Sequence, residues 1–98
     1  MNIELVEVYR DRAISSKFRL RKIYINPEHV VCMRYDETMK NRLDEGNLPK
    51  DLDERQNFTK LYINRGQQGL DVTVVGEPPA IQKKIDEASK KSKNLLRG

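Results

Sequence analysis

The chain has one cysteine, one histidine and no tryptophan, and nowhere a run of about 18 apolar residues. The lone Cys32 excludes an internal disulfide and any metal site built from several cysteines. Without a long apolar run there is no sequence for a membrane-crossing helix, and the opening Asn2-Ile3-Glu4 lacks the basic and then apolar character of a secretion leader. A soluble, cytoplasmic protein with no membrane partner is expected. The glycines never form a phosphate-cradling motif; Gly66 and Gly69 read as hairpin residues. Asp51, Asp53 and Glu54 lack the glycine and ligand spacing of a calcium loop. His29 stands beside a turn with no cysteine or serine motif near it, and Cys32 lies in an apolar run where a thiol acts as a small buried hydrophobe. The expectation is a non-catalytic protein without cofactor or metal.

What is present is a phrase that occurs twice, Lys22-Ile23-Tyr24-Ile25-Asn26 and Lys60-Leu61-Tyr62-Ile63-Asn64, each followed by a turn and a second apolar run. A strand sends alternate side chains to opposite faces, so Ile23, Ile25, Leu61 and Ile63 would line a core. Lys22, Tyr24, Lys60 and Tyr62 would then form a basic and aromatic stripe on the other face, with Arg19 and Arg21 nearby.

With 98 residues, 37% apolar and 35% charged, the chain makes one domain with one modest core. From Ile3 to Tyr9 apolar residues fall on both parities, so this strand is either buried on both faces or bulged. A second strand, Phe18 to Ile25, follows the polar connection Arg12 to Lys17. Its apolar face switches from Phe18 and Leu20 to Ile23 and Ile25, which a bulge near Arg21 would explain. After the turn at Asn26-Pro27-Glu28, Val30 to Tyr35 forms a third strand, with Val30 and Cys32 on one face and Val31 and Met33 on the other.

The segment 36–57 is a charged, partly helical insertion. Asp36 or Thr38 can cap a short helix bearing Met39 and Leu43, with Gly46 placed to end it, and Asp51 to Arg55 can form another turn of helix. Phe58 to Asn64 is a fourth strand, Asn64 to Gly69 a hairpin loop and Leu70 to Val75 a fifth strand, with Leu70, Val72 and Val74 inward and Asp71 and Thr73 outward. Gly76 and Pro78-Pro79 stop the sheet. Ile81, Ile85, Ala88, Ser92 and Leu95 then mark the apolar stripe of an amphipathic helix, whose basic tail, 89–98, is expected to fray. The order β-β-β-α-β-β-α predicts an α+β domain: a mostly antiparallel five-stranded sheet with a C-terminal amphipathic helix on one face.

Tyr24-Ile25-Asn26-Pro27-Glu28-His29-Val30-Val31, then Thr59-Lys60-Leu61-Tyr62-Ile63, a glycine turn, Leu70-Asp71-Val72-Thr73-Val74 and a closing helix resemble short flagellar FlbD-type proteins and small bacteriophage proteins. The resemblance covers about half the chain and implies a small bacterial or phage accessory protein. The insertion and the basic tail depart from it, and no functional residue is carried over.

Charge is unevenly placed. Residues 83–98 hold six bases and two acids, while the rest of the chain sums to zero. A second basic cluster runs from Arg10 to Lys22. Aromatic rings on a sheet can stack bases while neighbouring cations neutralise phosphates, and a lysine-rich helix adds salt-dependent phosphate affinity. The candidate nucleic-acid-binding residues are therefore Arg19, Arg21, Lys22, Tyr24, Lys60 and Tyr62 on the sheet, with Lys83, Lys84, Lys90 and Lys91 on the helix. The ordinary alternative is that Tyr and Lys dress a half-exposed sheet and lysines solubilise a terminal helix. The expected role is regulatory, through single-stranded nucleic acid. The other reading is a docking module that joins a host protein complex or assembles as a homo-oligomer.

Overall fold

The computed structural model describes residues 2–11 and 17–97, and the side chains of all of these except 65 and 91–97. Most of the connection expected from Arg12 to Lys17 lies outside the described residues. In chain order the elements are β1 (Ile3–Arg10), β2 (Phe18–Ile25), a 3-10 turn (Pro27–His29), β3 (Val30–Tyr35), α1 (Glu37–Asp44), β4 (Phe58–Arg65), β5 (Gln68–Val75) and α2 (Pro78–Arg97). The strands form one antiparallel sheet in the order β2-β1-β5-β4-β3. This is the α+β class and the element order that the patterning predicts.

The sheet is not flat. β1 and β2 pair along their whole length, from Ile3↔Ile25 to Arg10↔Phe18, but β1 meets β5 only at Glu7↔Val74 and Val8↔Thr73. The edge strands β2 and β3 are joined only by Asn26 and the 3-10 turn, a link that reaches roughly 15 Å. Four strand spacings in a flat sheet would need about 19 Å before any offset along the strands. The β1–β2 ribbon therefore bends at the Glu7–Val8 crossing and folds over the β5-β4-β3 unit, bringing Ile3, Leu5 and Ile25 against Leu61, Val72 and Val74. Ile81 of α2 is buried in the same cluster, with Ile85 and Ala88 packed at its margin. The stripe positions Ser92 and Leu95 lie among the side chains that are not described.

A second cluster forms on the other side of the sheet, at the ribbon's far end. Val8 and Phe58 pack there with Met39, Leu43 and Leu48, joined by Phe18, Leu20, Leu52 and Val75. The two clusters explain the mixed parities: each strand of the ribbon is covered on one face along half its length and on the opposite face along the other half. β1 needs no bulge, and the bulge expected near Arg21 is absent, since the β1–β2 register is unbroken.

The irregularity lies in β3 instead, where the register shifts between Val30 and Cys32. It turns Val30 and Met33 toward the core and leaves Val31 and Cys32 exposed, which overturns both the expected parity of β3 and the buried thiol. The β4–β5 hairpin is tighter than expected. Arg65 pairs with Gln68 around Gly66-Gln67, and Gly69 belongs to β5. Gly66 supplies the positive φ, 75°, that such a turn requires at its first central residue. Leu70 points to the same side as Val72 and Val74 but remains 59% exposed. Thr73, expected outward, is buried.

The insertion covers the second cluster. Asp36 caps α1 by accepting from the Met39 N–H at 2.9 Å, and Met39 and Leu43 face inward as their spacing predicts. Gly46 at φ 79° ends the helix, its N–H donating to Leu43 O and the Asn47 N–H to Arg42 O, a paired closure that satisfies the last carbonyls. The expected helical turn over Asp51 to Arg55 is not formed; turns closed by Leu52 N–H to Pro49 O and Gln56 N–H to Asp53 O stand in its place. Gly76 takes the chain out of the sheet at φ 120°, and a Cβ there would meet Ile81 Cδ1 at 3.2 Å.

Candidate nucleic-acid interface

The repeated phrase behaves as alternation dictates. Ile25 and Leu61 are core, Ile23 and Ile63 pack against it, and Tyr24 stands 61% exposed. The two outward triplets nevertheless do not join into one stripe. β1 and β5 separate β2 from β4, and the fold of the ribbon over the β5-β4-β3 unit turns their inner sides together and their outer sides apart. Lys22 and Tyr24 are on one outer surface, Lys60 and Tyr62 on another. The single stripe expected from the phrase is corrected to two patches.

The first patch is electrically neutralised. Acids of β1 and of the residue just after it reach the β2 cations: Arg21 Nε donates to Glu7, its direct cross-strand partner, at 2.7 Å, Lys22 Nζ lies 3.3 Å from Glu4 on the diagonal, and Arg19 Nε lies 3.7 Å from Asp11 beyond the strand's end. The hydrogen bond to Glu7 pushes the Arg21 pKa further up, against a smaller opposing effect of burial. Arg21 also covers the Tyr9 ring at 3.9 Å. Strand parity puts Arg19 and Arg21 on the opposite face from Lys22 and Tyr24, so they do not extend that patch. Arg10 and Arg42 are engaged as well, approaching the Phe18 ring at 5.2 and 4.9 Å. The basic cluster of the sequence is thus largely an internal charge lattice.

The second patch is different. Arg34 and Lys60 are direct cross-strand partners of β3 and β4, and the Arg34 guanidinium sits 5.3 Å from the centroid of the Tyr62 ring. Among the described residues neither cation has a carboxylate within 4.0 Å. Like charges placed directly opposite on a sheet repel, at a cost of about 0.2 to 1 kcal/mol. Together with Tyr62 and the start of α1 they line an open cleft of about 450 Å³. Asp36 and Glu37 also line it: Asp36 is already held by Thr73 and Met39, and Glu37 makes no ion pair within 4.0 Å to any described residue. Arg34 was missed in the sequence because the shift at Val31 changes which face it occupies, and because its pairing with Lys60 depends on a register no local pattern gives.

α2 presents Lys83, Lys84 and Lys90 to solvent, while the side chain of Lys91 is not described. The helix packs on the Leu61 and Val74 side of the sheet, and Arg34 and Lys60 project from the other side. Helix lysines and sheet cations therefore form separate basic surfaces. His29 is half-buried in the 3-10 turn, and among the described residues no three of His, Cys, Asp and Glu converge to hold a metal. No described helix is long and apolar enough to cross a membrane. No family model, curated protein or solved structure matches the chain.

Proposed function

We propose that this chain is a small non-catalytic regulatory protein of bacterial or phage type that binds single-stranded nucleic acid on the outer face of β3 and β4. The observation that carries the reading is the Arg34–Lys60 pair: two cations held opposite each other, with no carboxylate of the described residues within 4.0 Å of either, beside an aromatic ring. A backbone phosphate seated between them removes the repulsion and releases bound counter-ions, so binding weakens steeply with salt. Tyr62, beneath Arg34, holds the guanidinium in place and extends a flat surface toward a base. The lysines of α2 add non-specific attraction from a separate surface and are not needed for the contact at β3 and β4. Binding of labelled single-stranded DNA and RNA, followed by fluorescence anisotropy across a salt series, tests this. Affinity in the micromolar range at low salt that collapses in Arg34→Gln/Lys60→Gln supports it; affinity no better than millimolar at low salt rejects it.

A second reading, docking to a protein or to another copy, draws on β3 being an edge strand with Val31 67% and Tyr35 50% exposed. The register shift at Val31 works against it, because an irregular edge pairs poorly with an added strand. Sedimentation that stays monomeric at high concentration, with no partner retained by the purified chain, removes it.

A further inference from the structure

β1 leaves part of one edge open. Its pairing with β5 begins only at Glu7, although the Glu7↔Val74 register carried on would bring Leu5 opposite Gly76. Gly76 is committed elsewhere: its N–H donates to Asn57 O at 2.8 Å, its carbonyl accepts from the Thr59 hydroxyl at 2.8 Å, and the chain turns away there toward α2. A cleft of about 540 Å³ occupies the space so left, lined by the unbroken run from Asn2 to Val6 on one side and by Lys84, Glu87 and Ala88 of α2 on the other. Neighbours along a strand point to opposite faces, so a wall made of consecutive residues is the strand's edge. The opposite edge of β1 is filled by β2 along its whole length, so the cleft meets the edge that β5 abandons.

Burial tells which main-chain groups point into it. Alternate residues of a paired strand turn their N–H and C=O to one neighbour, and the residues between them turn to the other side. Leu5 is 2% exposed, and groups buried so deeply are paired. Among the described residues no main-chain bond outside the β1–β2 ladder reaches residues 2–5, so Leu5, and Ile3 with it, bond to β2. Glu4 and Asn2, both exposed, therefore hold their N–H and C=O toward the cleft.

We infer that this cleft takes an extended peptide segment of a partner protein, added as a strand between β1 and α2. Unmet donors and acceptors that alternate at strand spacing are answered by another main chain, which supplies both kinds at the same spacing. A folded second copy does not fit, because any strand it inserted would bring its own neighbouring strand to the place where α2 stands. The segment must be free of its own sheet. Lys84 and Glu87, exposed and without an ion pair or hydrogen bond to any described residue, flank its path and set which charges it carries. The site lies at the α2 side of the sheet, away from Arg34 and Lys60, and does not rest on the nucleic-acid reading.

The test pans the full chain against a phage library of short random peptides and studies the enriched sequences as synthetic peptides. Micromolar binding is expected, with slowed exchange of the Glu4 amide and a loss of about tenfold when alternate residues of the peptide are N-methylated, the scale of one or two main-chain hydrogen bonds. Glu4→Pro deletes an N–H that faces the cleft and no bond to β2, so the variant should fold and bind peptide about tenfold more weakly. Glu87→Trp changes an exposed helix position, fills the cleft and should weaken binding as much without touching β1. A library that yields no binder, or binders indifferent to both variants, overturns the inference. Protection of the Glu4 amide by a single-stranded oligonucleotide assigns the cleft to nucleic acid and overturns it too, as does a sedimenting dimer that Glu87→Trp abolishes. The Arg34→Gln/Lys60→Gln variant should bind the peptides unchanged, so the two readings stand or fall separately.

Discussion

The Thr73 hydroxyl donates to the Asp36 carboxylate at 2.7 Å, joining the middle of β5 to the first residue of the insertion. The same carboxylate caps α1 through the Met39 N–H, and the Asp36 N–H donates to Phe58 O at 2.9 Å. One buried side chain thus fixes where the insertion begins, how its helix starts and which sheet face it covers. That placement frames the Arg34–Lys60 cleft.

Asp36→Ala removes a cap and strands the Thr73 hydroxyl, at a cost of about 2 to 3 kcal/mol. Chemical denaturation should show this loss with an unchanged m-value. Thr73→Val, which takes the hydroxyl away but preserves shape, should cost less than Asp36→Ala.

Lys40 closes the other end of the insertion, its ammonium donating to Glu54 O at 2.7 Å and Gln56 O at 2.8 Å. Lys40→Met keeps the stem and loses two charged hydrogen bonds, a destabilisation of about 1 to 3 kcal/mol. Hydrogen exchange should accelerate across residues 54–57 well before it does in β4 and β5.

Gly76→Ala tests the pivot of α2. The residue sits at a φ that side chains rarely adopt, and its new Cβ would press on buried Ile81. A loss of at least about 1 kcal/mol is expected, read from the denaturation midpoint.

Arg34→Gln and Lys60→Gln should move stability and binding in opposite directions. Each relieves a like-charge pair, so the free protein should gain up to about 1 kcal/mol, while affinity for single strands falls and the salt dependence becomes shallower. Stability that falls in both variants would show that the pair serves the fold rather than a ligand.

Asp53 accepts from the Arg55 side chain at 3.2 and 3.0 Å and from its backbone N–H at 2.8 Å. These bonds, the side-chain ones first, hold its carboxyl below the ordinary carboxylate range. Because the folded value lies below the unfolded one, the turn's contribution is present above the unfolded pKa and is lost as pH falls through the folded one. Carboxyl-carbon NMR should give Asp53 a midpoint below that of a free aspartate, and Arg55→Gln should move it up.

What was legible in the sequence was local. Period-two alternation identified the inward Ile and Leu of both phrases, Asp36 or Thr38 and Gly46 bracketed α1, with the structure choosing Asp36, and Ile81, Ile85 and Ala88 marked the buried side of α2, because these signals depend on a few neighbouring residues. The mixed parities of β1 and β2 were visible but could not be interpreted, since a bulge and a two-sided burial leave the same trace. The candidate site was only half legible. Tyr62 and Lys60 could be named, but their cation partner Arg34 could not, and the cations of β2 looked available because their partners lie across a strand pairing.

The sequence by itself determined the class of the fold, the identity of most strands and both helices, and the excess of positive charge at the C-terminal end. Which cations are left without a carboxylate beside them was settled only by the tertiary structure. Neutralisation depends on which residues strand pairing brings within reach: β1 and the residue after it bring Glu4, Glu7 and Asp11 to the β2 cations, while β3 brings Arg34 to Lys60. The bend at Glu7 and Val8 then sends two identical patterns to different surfaces, because strand pairing and ribbon curvature are set by contacts far apart in the chain.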